Sequence, residues 1–147
     1  MLKGIPACIS PELLKVLNEM GHGDTLVIGD INFPAASIAA EKNHINVRCD
    51  GHRAPEILDA VLQLMPLDSF VEKPVKIMDK MEMHRSLECP VWKEFTDIVA
   101  KYDERGSKTV GFLDRFSFYD AAEDAYAVIS TSETALYACI IIQKGCL

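Results

Sequence analysis

The apolar positions of this chain change period several times, and each change marks an element. Leu13, Leu14, Val16, Leu17 and Met20 recur at helical spacing, so one face of a helix is apolar. Ser10 stands where an N-cap belongs, Pro11 suits the first turn, Glu12 favours the helix dipole, and Gly21 ends the helix. After His22 and Gly23 comes a continuous apolar run, Thr25–Gly29. Such a run reads as a strand covered on both faces, as in an α/β sheet. Asp30 ends it, and ligands of α/β sheets bind beyond the carboxyl ends of strands.

The pattern continues in the same manner. Residues 35–43 read as loop or short helix, Ile45–Cys49 as a short strand, and Ala54–Met65 as a second amphipathic helix stopped by Pro66. Pro74–Met81 reads as a strand, Glu82–Pro90 as polar and irregular, and Val91–Tyr102 as a third helix. Thr109–Leu113 is a strand and Arg115–Asp124 a short aromatic-rich helix. Two apolar strands close the chain, Ala125–Ser130 and Tyr137–Gln143, joined by the polar turn Thr131–Glu133. Alternating strands and helices predict a single α/β domain spanning residues 1–147. The last two strands are too close for a helical crossover, so they should run antiparallel and make the sheet mixed.

Composition narrows the function. At 147 residues and 49% hydrophobic, the chain can bury a core without staples. A net charge of −7 argues against a general nucleic-acid binder. No apolar run reaches the ~20 residues that span a bilayer, and the N-terminus lacks the pattern of a signal peptide. A cytoplasmic protein is expected. The five cysteines, Cys8, Cys49, Cys89, Cys139 and Cys146, are odd in number and irregular in spacing, which fits reduced thiols.

Four groups could carry chemistry. His22, between two glycines, and Asp30 could form an acid–base pair; the same residues could equally be a capping histidine and a turn-forming aspartate. Arg115 and Tyr119 share a helix face at i, i+4 within DRFSFY. They offer a guanidinium and a phenol beside aromatic rings, as a sugar site would, or a solvated helix surface. His44, Cys49 and His52 lie within nine residues, but their spacing matches no metal site and packed or solvated side chains are the expectation. His84, beside Arg85, reads as exposed loop. Tyr137 opens the last strand and could stand at the sheet edge or pack on the core. There is no P-loop, G-x-G-x-x-G, G-x-S-x-G or H-E-x-x-H, and nothing demands a nucleotide or metal.

Taken in order, SPELLKVLNEMGHGD, Asp30 followed by NFPA, PLDSF, DRFSFY and TSE…Y…KG resemble the L-fucose mutarotase / D-ribose pyranase family over nearly the whole length. NFPA and RFSFY place the chain nearer the fucose branch. The resemblance implies an α/β domain that interconverts the α and β anomers of a free monosaccharide, L-fucose or D-ribose, in fucose metabolism. It implies no cofactor, no metal, and assembly into rings, commonly decamers, with sites near subunit boundaries. It implies that His22 is the proton donor, that Asp30 and Arg115 bind substrate, and that Tyr137, Ala138 and Cys139 form the C-terminal sugar-binding tripeptide. Asp68 and Tyr119 match pocket positions of some fucose-branch members. The chain departs from the family pattern at Cys139, where asparagine is usual, at Ser132, where glycine is usual, and in a longer segment 39–46. These departures bear on specificity. The competing expectations are a ribose-preferring pyranase, a sugar-binding accessory protein with little catalysis, and a ring scaffold.

Overall fold

The computed structural model describes residues 2–42 and 45–147. Five helices and six strands alternate: α1 (Pro11–Glu19), β1 (Thr25–Gly29), α2 (Ala35–Glu41), β2 (Ile45–Cys49), α3 (Ala54–Leu64), β3 (Val75–Met78), α4 (Pro90–Tyr102), β4 (Val110–Leu113), α5 (Arg115–Glu123), β5 (Ala127–Thr131) and β6 (Ile140–Gln143). Short 3₁₀ turns at Glu82–His84 and Gly106–Thr109 precede α4 and β4 respectively. Residues 35–41 form a helix, as one of the two expected alternatives. No helix among the described residues is long and apolar enough to cross a membrane.

The strands form one mixed sheet in the order β2-β5-β1-β6-β3-β4. β5 is parallel to β1 and β2, and β4 is parallel to β3. β6 is antiparallel to both neighbours, β1 and β3. The last two strands are therefore opposed in direction, but β1 lies between them. Sequence proximity had fixed only their directions; the buried register Val27↔Val128 and Val27↔Ile141 places β1 in the gap.

Apolar side chains on alternate strand positions face two helical layers. On one face Leu26, Ile28, Ile129, Ile140 and Ile142 meet Leu13 and Leu17 of α1, Leu58 and Val61 of α3, and Phe95 and Val99 of α4. On the other, Val27, Val128 and Ile141 meet Ile38 of α2 and Phe118 and Ala122 of α5. Each fully buried aliphatic or aromatic side chain contributes about 1.5–3 kcal/mol.

This topology decides which loops meet. β1, β3, β4 and β5 all point the same way, and β6 points back. One end of the sheet thus gathers Asp30 after β1, Met78 after β3, Arg115 after β4 and Tyr137–Cys139 before β6. The opposite end gathers the His22 turn before β1 and Gln143 at the end of β6.

Candidate functional site

Asp30 occupies the floor of a cleft of about 220 Å³ at the first of these ends. The aspartate is buried, and its Oδ1 accepts the Asn32 N–H at 2.9 Å, the kind of local turn that aspartate builds after a strand. Burial pushes the Asp30 carboxyl above its ordinary range. The N–H groups of Asn32, Ala138 and Phe33 and the Cys139 thiol favour the anion without cancelling that effect. Phe33 can fold back over the strand because Gly29 has no side chain. A Cβ at Gly29 would lie 2.6 Å from the Phe33 ring.

Helix α5 forms one wall. Asp114 caps it, accepting N–H bonds from Phe116 and Ser117 at 3.1 Å. The i, i+4 spacing then brings Arg115 Nε to donate to Tyr119 Oη at 3.0 Å, and both side chains line the cleft. Phe118, one position away, points inward and stacks edge-on against Phe33 with centroids 5.8 Å apart.

The approach to β6 forms the opposite wall. Tyr137 does not open the strand as expected. It sits in a turn with φ +57°, the one non-glycine residue of positive φ among the described residues. The strand begins only at Ile140. Trp92 Nε1 donates to the Tyr137 carbonyl at 3.0 Å and holds the turn. Ala138 and Cys139 follow, both buried. The Cys139 side chain lines the cleft beside Asp30; burial and the nearby carboxylate hold its thiol far above its ordinary pKa, hence protonated.

A segment that sequence reasoning passed over supplies the remaining wall. The strand expected to reach Met81 ends at Met78. Beyond it Asp79 pairs with Arg85 at 3.0 Å, and Lys80 Nζ donates to the carbonyls of Arg85 and Leu87. These contacts curl residues 79–87 into a strap that carries His84 and Leu87 onto the cleft. His84 is thus a site residue rather than a free loop histidine. Its position depends on tertiary contacts that no local periodicity records.

His22 and Asp68 lie elsewhere. His22 precedes β1 and Asp30 follows it, so a five-residue strand, about 17 Å long, separates the two. They do not meet within one chain. His22 Nε2 instead bonds to Asp68 Oδ2 at 3.0 Å, and its ring lies 5.5 Å from that of Phe70. Because Asp68 accepts at Nε2, Nδ1 is the nitrogen free to exchange a proton with a ligand. Asp68 is buried and also accepts the Phe70 N–H at 2.9 Å and Gln143 Nε2 at 3.0 Å. The Phe70 N–H, then His22 and Gln143, hold its carboxyl below the ordinary range despite burial. Lys144 fixes the turn, donating to the carbonyls of Leu17 and Met20 while its own carbonyl accepts the Gly23 N–H.

Among the described residues, no group of side chains is placed to hold a metal ion. His44 lies outside the described residues, Cys49 is buried in β2, and His52 Nδ1 pairs with Glu56 at 3.0 Å.

A carboxylate, a guanidinium, two phenols and an imidazole around a small apolar-walled cleft define a site for one small hydroxylated molecule. The chain belongs to the RbsD / FucU transport protein family, whose model matches residues 3–147. It is 45% identical to the fucose mutarotase of Mus musculus over 99% of this chain and 95% of that one. The FucU crystal structure from Bifidobacterium longum is 51% identical and superposes with a TM-score of 0.94, covering 99% of each chain. The fucose mutarotase of Streptococcus pneumoniae, solved in complex with L-fucose, is 42% identical with a TM-score of 0.89, again over 99% of each chain.

Proposed function

We propose that this protein is an L-fucose mutarotase: it opens the pyranose ring, lets the aldehyde rotate, and closes it on the other face. The observation that carries this reading is the Asp30 cleft with Arg115, Tyr119 and Tyr137 around it, in a chain similar throughout its length to fucose mutarotases. Ring opening needs a proton delivered to the ring oxygen and one removed from the anomeric hydroxyl. His22, as the imidazolium whose Nε2–H is held by the Asp68 carboxylate, delivers the first through Nδ1 and is left neutral, and water takes the second. Asp30, Arg115 and the phenols hold the hydroxyls so that the open chain stays bound. Acid–base help of this kind is worth about 10²–10⁴-fold, and positioning adds to it.

His22 reaches the sugar from a neighbouring copy in a ring, which we take to be a decamer working in cytoplasmic fucose metabolism. Two features support assembly. Phe70 beside His22 is 77% exposed, exposed Leu136 lines the cleft, and exposed Ile31 and Phe116 adjoin its lining residues Asp30 and Arg115 in sequence. Exposed large apolar side chains beside both half-sites favour contacts between copies.

The test is anomer exchange of L-fucose by saturation-transfer NMR with mixed rings. His22→Ala and Asp30→Asn are each expected to be inactive, whereas rings assembled from both regain up to about a quarter of wild-type activity. That figure follows from random pairing of neighbours. Absence of recovery in mixed rings refutes the shared site, and wild-type exchange at the buffer rate refutes the mutarotase.

A further inference from the structure

We infer that His84 sets the direction of the Tyr137 hydrogen bond, so that the phenol oxygen meets the ligand as an acceptor. The inference rests on the mutarotase reading for its ligand but on the structure for its geometry.

Tyr137 Oη has two partners in the protein. The Met81 N–H donates to it at 3.2 Å, and His84 Nδ1 lies 2.5 Å away. The backbone N–H is a donor in every state, so it takes one phenol lone pair. Neutral His84 can meet the phenol as donor or as acceptor, and the tautomer assigned by this proposal carries the proton on Nε2, so that the phenol hydrogen goes to Nδ1. One phenol lone pair remains for a ligand in the cleft, and it can only accept. A free tyrosine could instead rotate its O–H and donate.

The surroundings hold the two rings in contact. Tyr137 holds a positive φ, a conformation that costs a non-glycine residue about 1–2 kcal/mol. Trp92 Nε1 fixes its carbonyl, and the two rings of Tyr137 and His84 meet at 67° with centroids 5.8 Å apart. His84 is itself held by the strap, whose Lys80 and Asp79 contacts are described above. Across the cleft, Arg115 provides donors only. The cleft thus offers the sugar a donor wall and an acceptor wall, and hydroxyls bridging them must be oriented one way. His84 is a positioning residue for this purpose.

Three variants and one spectrum test it. Nδ1 acts here as an acceptor at the second side-chain position, and asparagine puts a carbonyl oxygen there. His84→Leu should raise KM for L-fucose by about three- to tenfold, the worth of about one hydrogen bond. It should leave kcat within about twofold, because the contact is made in ground and transition states alike. His84→Asn should recover most of the loss. A purely structural role would instead lower kcat through loss of active protein and leave KM in place. Independently of any sugar, ¹⁵N-edited NMR should show His84 with Nδ1 unprotonated and Nε2 protonated, and Tyr137→Phe should shift that balance. The inference is overturned if Nδ1 carries the proton, if KM is unmoved by His84→Leu, or if His84→Asn falls as far as His84→Leu. If wild type does not exchange fucose anomers at all, the mutarotase reading fails while the spectrum still decides the inference.

Discussion

Asp68→Asn isolates the part of the site that is most tightly bound up with the fold. The carboxylate is buried and accepts three hydrogen bonds, from the Phe70 N–H, from Gln143 Nε2 and from His22 Nε2, at 2.9, 3.0 and 3.0 Å. The asparagine oxygen can keep Phe70, but its amide nitrogen then faces two donors. Gln143 can turn its amide over to present oxygen, and His22 can shift its proton to Nδ1. Both repairs replace charge-assisted bonds of about 1.5–3 kcal/mol with neutral ones of about 0.5–1.5 kcal/mol. The sum over the set is about 2–4 kcal/mol, which for a chain of this size lowers Tm by about 5–15 °C. Without the carboxylate that supports the His22 imidazolium of the proposed mechanism, anomer exchange should also fall by about 10²–10⁴-fold. The pH dependence has a definite sign. The folded-state pKa of Asp68 is depressed, so its contribution is present above the unfolded carboxyl value of about 3.9 and fades as pH falls through the folded value. Calorimetric scans of both proteins from pH 7 to pH 3 should show the Tm gap at full size above about pH 5 and closing below pH 4. A gap of equal size at every pH, or no gap with normal exchange, would refute the reasoning.

Asp30→Asn should behave oppositely in stability. Its folded pKa is raised, so the buried carboxylate is penalised as pH rises through that value; the variant should lose anomer exchange yet melt no lower than wild type at pH 7, with any gain vanishing near pH 4. A lower Tm at pH 7 would show the anion to be stabilised. Gly145→Ala would place a Cβ 2.4 Å from the Leu67 carbonyl oxygen and 2.8 Å from Asp68 Cα; overpacking against backbone costs about 1–3 kcal/mol or more, and both Tm and the His22-dependent rate should drop together in urea melts and exchange assays. Phe118→Ala removes a fully buried ring of α5 that packs against Phe33, worth about 3–5 kcal/mol; chemical denaturation should show that loss, with KM for fucose rising as α5 loosens.

Much of this architecture could be read from the chain because its signals are local. The Ser10 cap and Gly21 stop bound α1, and the apolar run ending at Asp30 identified both a central strand and its functional end. DRFSFY was legible for the same reason: one helical turn sets Arg115 against Tyr119. What escaped depends on contacts between distant segments. Tyr137 looked like the start of a strand because its neighbours are apolar, yet Trp92, 45 residues away, holds it in a left-handed turn. His84 looked solvated because nothing nearby in sequence reveals that Lys80 and Arg85 curl its strap back onto the cleft.

The pairing of His22 with Asp30 shows the same limit more sharply. Eight residues apart suggests neighbours, but an extended strand turns that interval into opposite ends of a sheet. Each end then acquires its own buried carboxylate, tuned in opposite senses. Asp68 is held as an anion by the donors that face it, and so keeps His22 in one tautomer. Asp30 is pressed toward neutrality by burial, against the N–H groups and the Cys139 thiol that favour its anion. On the mechanism proposed above, His22 and Asp30 stand at opposite ends of one chain and would act on the same sugar only where two copies abut. The proposed mechanism thus predicts that a monomer carrying both half-sites would fold and be inactive.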